Sequence, residues 1–287
     1  MLLNHNSPAS IRAFLEARGI APRKRWGQNF LINQGAREKI VRLLEIEPGH
    51  NVWEIGPGLG AMSELMLYPG VKLTLFELDP AYCEWLRESL GSRLAKLVEG
   101  DVMRTWKEEW RINIPDRVLG NLPYNAASAI IAAFMENQSL AQRCIFTVQD
   151  EMGQRMLAAP ASSAYSSFSI LCQTHGRVID GGRLLPGSFY PAPRVQSRII
   201  ILEPAEPFGR IHGLEIFRRL IRVMFTSRRK TLANNLKFAG NVKGLPSADN
   251  IIPAFEKSGI NLSRRPETVT PGEWVDVANN IFYQGMR

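Results

Sequence analysis

From residue 51 to about residue 149, short apolar or β-branched runs alternate with amphipathic stretches, which is the pattern of a parallel sheet joined by crossover helices. The spacing predicts strands at Asn51–Ile55, Lys72–Glu77, Leu97–Glu99, Arg117–Gly120 and Arg143–Val148. Helices fit at Leu59–Leu67, at Pro80–Leu90 with Pro80 in a favoured first-turn position, and at Ala126–Glu136. After about residue 164 the pattern changes. Two extended apolar segments, Phe168–His175 and Ser197–Leu202, flank a Gly/Pro-rich loop containing GSFYPAPRV and predict antiparallel edge strands. The stretch EPAEPFGR, Glu203–Arg210, then separates a strand from a long helical pattern, so a domain boundary is expected there: an α/β domain over 1–204 and a smaller helical, basic domain over 205–287.

Composition narrows the classes. At 45% hydrophobic and 22% charged residues the chain is an ordinary globular protein. The formal charge is +8, and it is unevenly placed: 13 basic and 7 acidic residues lie from residue 205 onward, a balance of +6. That favours a polyanionic partner, with a merely solvated basic face as the alternative. Cys83, Cys144 and Cys172 are odd in number and widely spaced, as expected of buried thiols in a reducing compartment, and they predict no metal site. The histidines, His5, His50, His175 and His212, are scattered and read as structural or surface residues. The N-terminus lacks an apolar signal core, and the longest nearly apolar run, Ala126–Met135, is far short of the ~20 residues of a membrane span. A cytoplasmic location with no membrane partner is expected.

Candidate chemistry begins at VWEIGPGLGAM. Gly56, Gly58 and Gly60 follow the first strand directly, where close approach of a nucleotide-like ligand needs residues without a Cβ. Glu77 lies 21 residues beyond Gly56 at the end of the second strand, the position of a carboxylate that accepts from two ribose hydroxyls. Asp101, in EGD after the third strand, is placed to hold an adenine amine, though an Asp after a Gly also forms ordinary turns. The loop alone does not separate a methyltransferase from a nicotinamide oxidoreductase, because Gly56, Gly58 and Ala61 also satisfy the dinucleotide pattern. Either way the fold class is α/β and Rossmann-like.

The group after the fourth strand, Asn121, Leu122, Pro123 and Tyr124, favours methyl transfer. The N6 amine of adenine is a poor nucleophile because its lone pair is delocalised into the ring, and acceptors aimed at its N–H groups localise that pair as positive charge develops. Asn121 offers a side-chain oxygen. Pro123 has no N–H and helps to turn a backbone carbonyl inward, that of Leu122 by position. Tyr124 supplies a ring on which a base can stack. The methylated ammonium can lose its proton to water, so the chemistry needs no His or Cys.

These motifs, collinear with RKRWGQNFL before them and SFYPAP and FTSRRKTLANNL after them, resemble the small-subunit ribosomal RNA adenine N6,N6-dimethyltransferases, relatives of the adenine methylases of macrolide resistance. The resemblance implies that Asn29, Leu31, Gly56, Gly58, Glu77, Asp101 and Asn121 bind S-adenosyl-L-methionine, and that Tyr124 and Phe189 sandwich the target adenine, plain loop packing being the alternative for Phe189. It implies as substrate two adjacent adenosines near the 3′ end of small-subunit RNA, within a nearly mature pre-ribosomal small subunit, and an enzyme acting as a monomer. A large-subunit resistance methylase is the neighbouring alternative. Two stretches depart from the family pattern: Tyr165-Ser166-Ser167 in place of a Tyr-Gly start, and Pro193-Arg194-Val195-Gln196-Ser197 in place of PKVDS.

Two basic clusters are candidates for RNA contact. Arg23, Lys24 and Arg25 precede the GQNFL motif, and Arg228, Arg229 and Lys230 follow Ser227, which reads as an N-cap. Cations in a first helical turn oppose the helix dipole and are more at home beside phosphate.

Overall fold

The computed structural model describes residues 3–20, 28–137, 140–237 and 242–286. It contains two compact units, one drawn from 1–133, 140–153 and 179–203, the other from 134–139, 154–178 and 204–287.

The first unit is built on a seven-stranded sheet. Its strands are β2 (Asn51–Ile55), β3 (Lys72–Glu77), β4 (Lys96–Glu99), β5 (Arg117–Asn121), β6 (Arg143–Gln149), β7 (Gly176–Leu184) and β9 (Ser197–Pro204), in the order β4-β3-β2-β5-β6-β9-β7. Strands β4 to β6 in that order run parallel, while β9 pairs antiparallel with β6. A second, two-stranded antiparallel sheet pairs β1 (Phe30–Leu31) with β8 (Phe189–Tyr190), in the register Phe30 to Tyr190 and Leu31 to Phe189. The central strands are buried along nearly their whole length, as parallel strands covered on both faces must be, which is why NVWEI and KLTLFE do not alternate between apolar and exposed polar positions. The helices of this unit begin with α1 (Pro8–Ala17), α2 (Gln34–Leu43), α3 (Ser63–Met66), α4 (Pro80–Leu90) and α5 (Val102–Ile112). Next come α6 (Ala127–Glu136) and α7 (Asp150–Leu157), each of which starts in the first unit and ends in the second.

The expected core strands fall within a residue of those found. The helix expected over Leu59–Leu67 is shorter, because Gly58 and Gly60 at φ 57° and 87° keep the chain turning until Ser63. Helix α5 has no counterpart in the expectations. It is capped by Asp101, whose carboxylate accepts from Met103 N at 2.9 Å, and it buries Trp106 while Trp110 meets Trp53 edge-on at 5.6 Å.

The second unit adds α8 (Ser167–His175), α9 (Leu214–Met224), α10 (Leu232–Leu236), α11 (Ala248–Lys257) and α12 (Pro271–Gln284). Here one expectation fails. Phe168–His175 is helical and not an edge strand; the strand is the next segment, Gly176–Leu184. The departure residue Ser166 explains part of this: it caps α8 through a reciprocal capping box with Ser169. Ile170, Leu171, Cys172 and Thr174 are buried, and α8 packs on α9 and α12. Tyr165, fully buried, donates to the Val269 carbonyl at 2.9 Å. The division therefore differs from a single cut at 204/205, since residues 154–178 side with the C-terminal helices. Trp274 centres their core, with Phe255 and Phe225 at 6.0 and 6.2 Å.

Candidate active site

The strand order reverses between β2 and β5, and a crevice opens where such sheets place ligands, at the C-terminal strand ends. A cavity of about 190 Å³ lies there, lined among others by Gly56, Gly58, Glu77, Asp101 and Asn121 from the four strand ends and by Asn29 and Leu31 from the GQNFL segment. All seven residues expected to bind one cofactor thus line one cavity.

Local physics explains the glycines. Gly56 has φ 70°, and a Cβ there would meet nothing within 4 Å, since beyond it is the cavity. Gly58 combines φ 57° with the Phe30 ring, 3.3 Å from where a Cβ would stand. Beneath this turn Glu54 is fully buried, and one carboxylate oxygen accepts from Ser63 Oγ at 2.5 Å, tying the end of β2 to the start of α3. Its other oxygen, also buried, has no hydrogen-bond partner. Burial pushes the Glu54 carboxyl up to about 7, opposed by the Ser63 bond and reinforced by Glu77. Glu77, 5% exposed, accepts from Gly58 N at 3.0 Å and Asp79 N at 2.8 Å. Burial raises it too to about 7, with those backbone N–H groups pulling the other way. Asp101 both lines the cavity and caps α5, so one oxygen serves the helix.

At the end of β5, Asn121 Nδ2 donates to the Asn29 carbonyl at 2.9 Å, which joins two separate motifs and directs the amide oxygen away from that bond. Leu122 N donates to Thr147 O at 3.2 Å, and the Pro123 carbonyl accepts from Ala126 N and Ala127 N, both at 2.9 Å. The turn is thereby fixed. Among the described residues no donor meets the Leu122 carbonyl. Tyr124 is half-buried, and its hydroxyl lies 2.6 Å from Ser197 Oγ. Burial raises its phenol, so it stays neutral at physiological pH.

Comparison with known proteins places the chain. The family model for ribosomal RNA adenine dimethylase matches residues 20–281. The chain belongs to this family. Ribosomal RNA small subunit methyltransferase A of Borreliella burgdorferi is 40% identical over 283 residues, covering 98% of this chain and 96% of the relative. The protein of the same name from Treponema denticola is 34% identical over 93% of this chain and 92% of its own. In fold the chain resembles a dimethyladenosine transferase from Plasmodium falciparum, with TM-score 0.75 and 22% identity over 88% of this chain and 97% of that one. It also resembles the 23S rRNA methyltransferase ErmE, with TM-score 0.61 and 21% identity over 88% and 99%. The antiparallel β9 between β6 and β7 departs from the 3-2-1-4-5-6 parallel order of dinucleotide oxidoreductases.

Other expected site residues are spread differently. Tyr124, Leu122 and Phe189 do not line the cavity, whereas Pro123 does. Phe189 is 3% exposed and packs into the core cluster with Leu31, Leu184 and Ile199. Arg23, Lys24 and Arg25 lie outside the described residues. Ser227 is not an N-cap: it ends a short 3-10 turn, and α10 starts after the cap Thr231, which accepts from Asn234 N, so Arg228–Lys230 precede the helix. Arg228 is bound within the protein, to Glu267 at 2.6 Å and the Ser163 carbonyl at 2.5 Å. Arg229 and Lys230 are exposed. Glu54, and the cavity-lining His5 and Ile11 from the N-terminal segment, carried no sequence signal that singled them out. Among the described residues no His/Cys/Asp/Glu group could hold a metal, and no helix is long and apolar enough to cross a membrane.

Proposed function

We propose that the protein transfers methyl groups from S-adenosyl-L-methionine to N6 of two adjacent adenosines near the 3′ end of small-subunit ribosomal RNA, two methyls to each. It acts as a monomer in the cytoplasm on a pre-ribosomal small subunit. The observation that carries the reading is the end of β5, where Asn121 is held through its amide nitrogen and the neighbouring Leu122 carbonyl meets no donor among the described residues.

The cavity suits the cofactor, since Gly56 leaves open the space a Cβ would fill and two carboxylates stand at the ends of β3 and β4. Asn29, Leu31, Gly56, Gly58, Glu77, Asp101 and Asn121 would hold it, with Glu77 accepting from the ribose hydroxyls and Asp101 from the adenine amine. When bound, S-adenosyl-L-methionine supplies an electrophilic methyl group on a sulfonium. Asn121 Oδ1 and the Leu122 carbonyl accept the two N–H groups of the target amine, which localises its lone pair and stabilises the charge that grows on nitrogen. The proton leaves to water afterwards. Tyr124 stacks on the extruded base, and Phe189 is the candidate for the opposite wall. Arg229 and Lys230, together with Arg23, Lys24 and Arg25, meet RNA phosphates.

Mapping labelled methyl groups on small subunits from cells lacking the protein tests this. The label is expected on N6 of two neighbouring adenosines near the RNA 3′ end. Label on large-subunit RNA alone would favour the resistance-methylase alternative.

A further inference from the structure

Tyr124 follows a stretch of backbone pinned at Leu122 N and at the Pro123 carbonyl. Its ring still turns about two side-chain torsions, so a stacking platform needs something to fix the far end. That end is the hydroxyl, and it meets Ser197 Oγ at 2.6 Å.

Ser197 is well placed to act as a fixed point. It is fully buried and begins β9, paired with Gln149 of β6. On the other side of β6, β5 ends in Asn121, which pairs with Thr147. Platform anchor and amide acceptor are thus referenced to the same strand. The start of β9 is itself clamped: Arg198, 6% exposed, bonds Asp150 at 2.8 Å and pairs with Asp180. A Cβ on Gly153 would come within 2.6 Å of the Arg198 side chain, so that clamp has no slack on this side. The Gln196 carbonyl accepts from Asp150 N at 2.9 Å, so the backbone keeps its place although Gln196 departs from the family pattern.

We infer that Ser197 is a positioning residue for methyl transfer: its hydroxyl holds the Tyr124 ring in the plane that receives the target adenine. Ser197 touches neither cofactor nor base in this arrangement and acts only through Tyr124. The inference rests on the reading of Tyr124 as the stacking wall.

The test is a double-mutant cycle on the full-length enzyme, with small subunits from cells lacking the protein as substrate. Tyr124→Phe and Ser197→Ala are each expected to lower the single-turnover rate at saturating substrate by about three- to tenfold, the worth of one hydrogen bond. Cofactor affinity and the substrate concentration for half-saturation should stay at wild-type values. The double variant should be no slower than the slower single variant. Additive losses would show that Ser197 acts elsewhere and overturn the inference. If Ser197→Ala fails to fold, Tyr124→Phe decides alone, because a wild-type rate in that variant means the bond does not position the ring. Failure of the underlying reading looks different: Tyr124→Ala would then transfer at the wild-type rate, whereas a slow Tyr124→Ala beside a normal Tyr124→Phe sinks only the role of Ser197.

Discussion

Relative to wild type, replacing Glu54 by Gln should make the cofactor-free protein progressively more stable as the pH rises from about 5 to about 7. The Glu54 carboxyl is completely buried, with one oxygen bonded to Ser63 and the other without a partner. It is raised from 4.5 to about 7 by burial, with Glu77 adding to the effect. In the unfolded chain the same group ionises near 4.5. Between these values the folded state holds a proton that the unfolded state has released, so stability falls as pH rises, and the whole cost is present above 7. At 1.36 kcal/mol per pH unit the cost reaches at most about 3 kcal/mol at pH 8. The amide of Gln introduces N–H groups that need acceptors, but this offset does not depend on pH. The pH slope of the difference between variant and wild type is therefore the clean quantity. Urea denaturation followed by tryptophan fluorescence at pH 5, 6, 7 and 8 measures it. The gain from Gln should grow from pH 5 to about 7 and level off by pH 8, and parallel curves for the two proteins would refute the reasoning.

Three further outcomes are expected. Glu77→Ala should weaken S-adenosyl-L-methionine binding by about 1.5–3 kcal/mol, roughly ten- to a hundredfold, in calorimetric titration; an unchanged dissociation constant in a folded variant rejects the ribose assignment. Tyr124→Ala should keep cofactor affinity near wild type while cutting single-turnover methyl transfer by the worth of a stacked base, about 1–3 kcal/mol. Replacing Arg229 and Lys230 by Gln should weaken RNA association and flatten the log–log salt dependence by about 0.7–0.9 for each phosphate no longer neutralised, with cofactor affinity unaltered; an unaltered salt slope makes the pair a solvated face.

The parallel strands were legible because burial on both faces forces runs that do not alternate with exposed polar positions, and the glycine turn because Gly56 and Gly58 adopt φ values that other residues avoid. Helix α5 was missed although VMRTWKEEWRI sets Val102, Trp106 and Trp110 four residues apart on one face, which is the helical period. The error at Phe168–His175 came from reading an apolar run by hydropathy alone, when the capping Ser166 and the glycine at 176 marked a helix and its end. Of the candidate site, the residues in motifs of fixed spacing, Gly56, Gly58, Glu77, Asp101 and Asn121, come together around one cavity. Glu54 beneath the loop and Ser197 behind Tyr124 could not be singled out, because a Glu within a strand and a Ser at its start carry no pattern of their own.

The basic C-terminal excess illustrates a limit of counting charges. In the second unit Arg218 and Arg222 both meet Glu136, Arg218 and Arg219 meet Glu215, Arg228 meets Glu267 and Arg264 meets Glu273. Such pairs contribute little to stability when exposed, but each also cancels most of the field its cation would project toward a polyanion. An RNA phosphate that recruited Arg228 would have to displace a carboxylate and two backbone carbonyls, those of Ser162 and Ser163. The exposed cations Arg229, Lys237, Lys243, Lys257 and Arg265 take part in none of those pairs. Arg228 is therefore not a side chain whose removal should register in the salt dependence, and its substitution should register instead as a loss of stability in the helical unit.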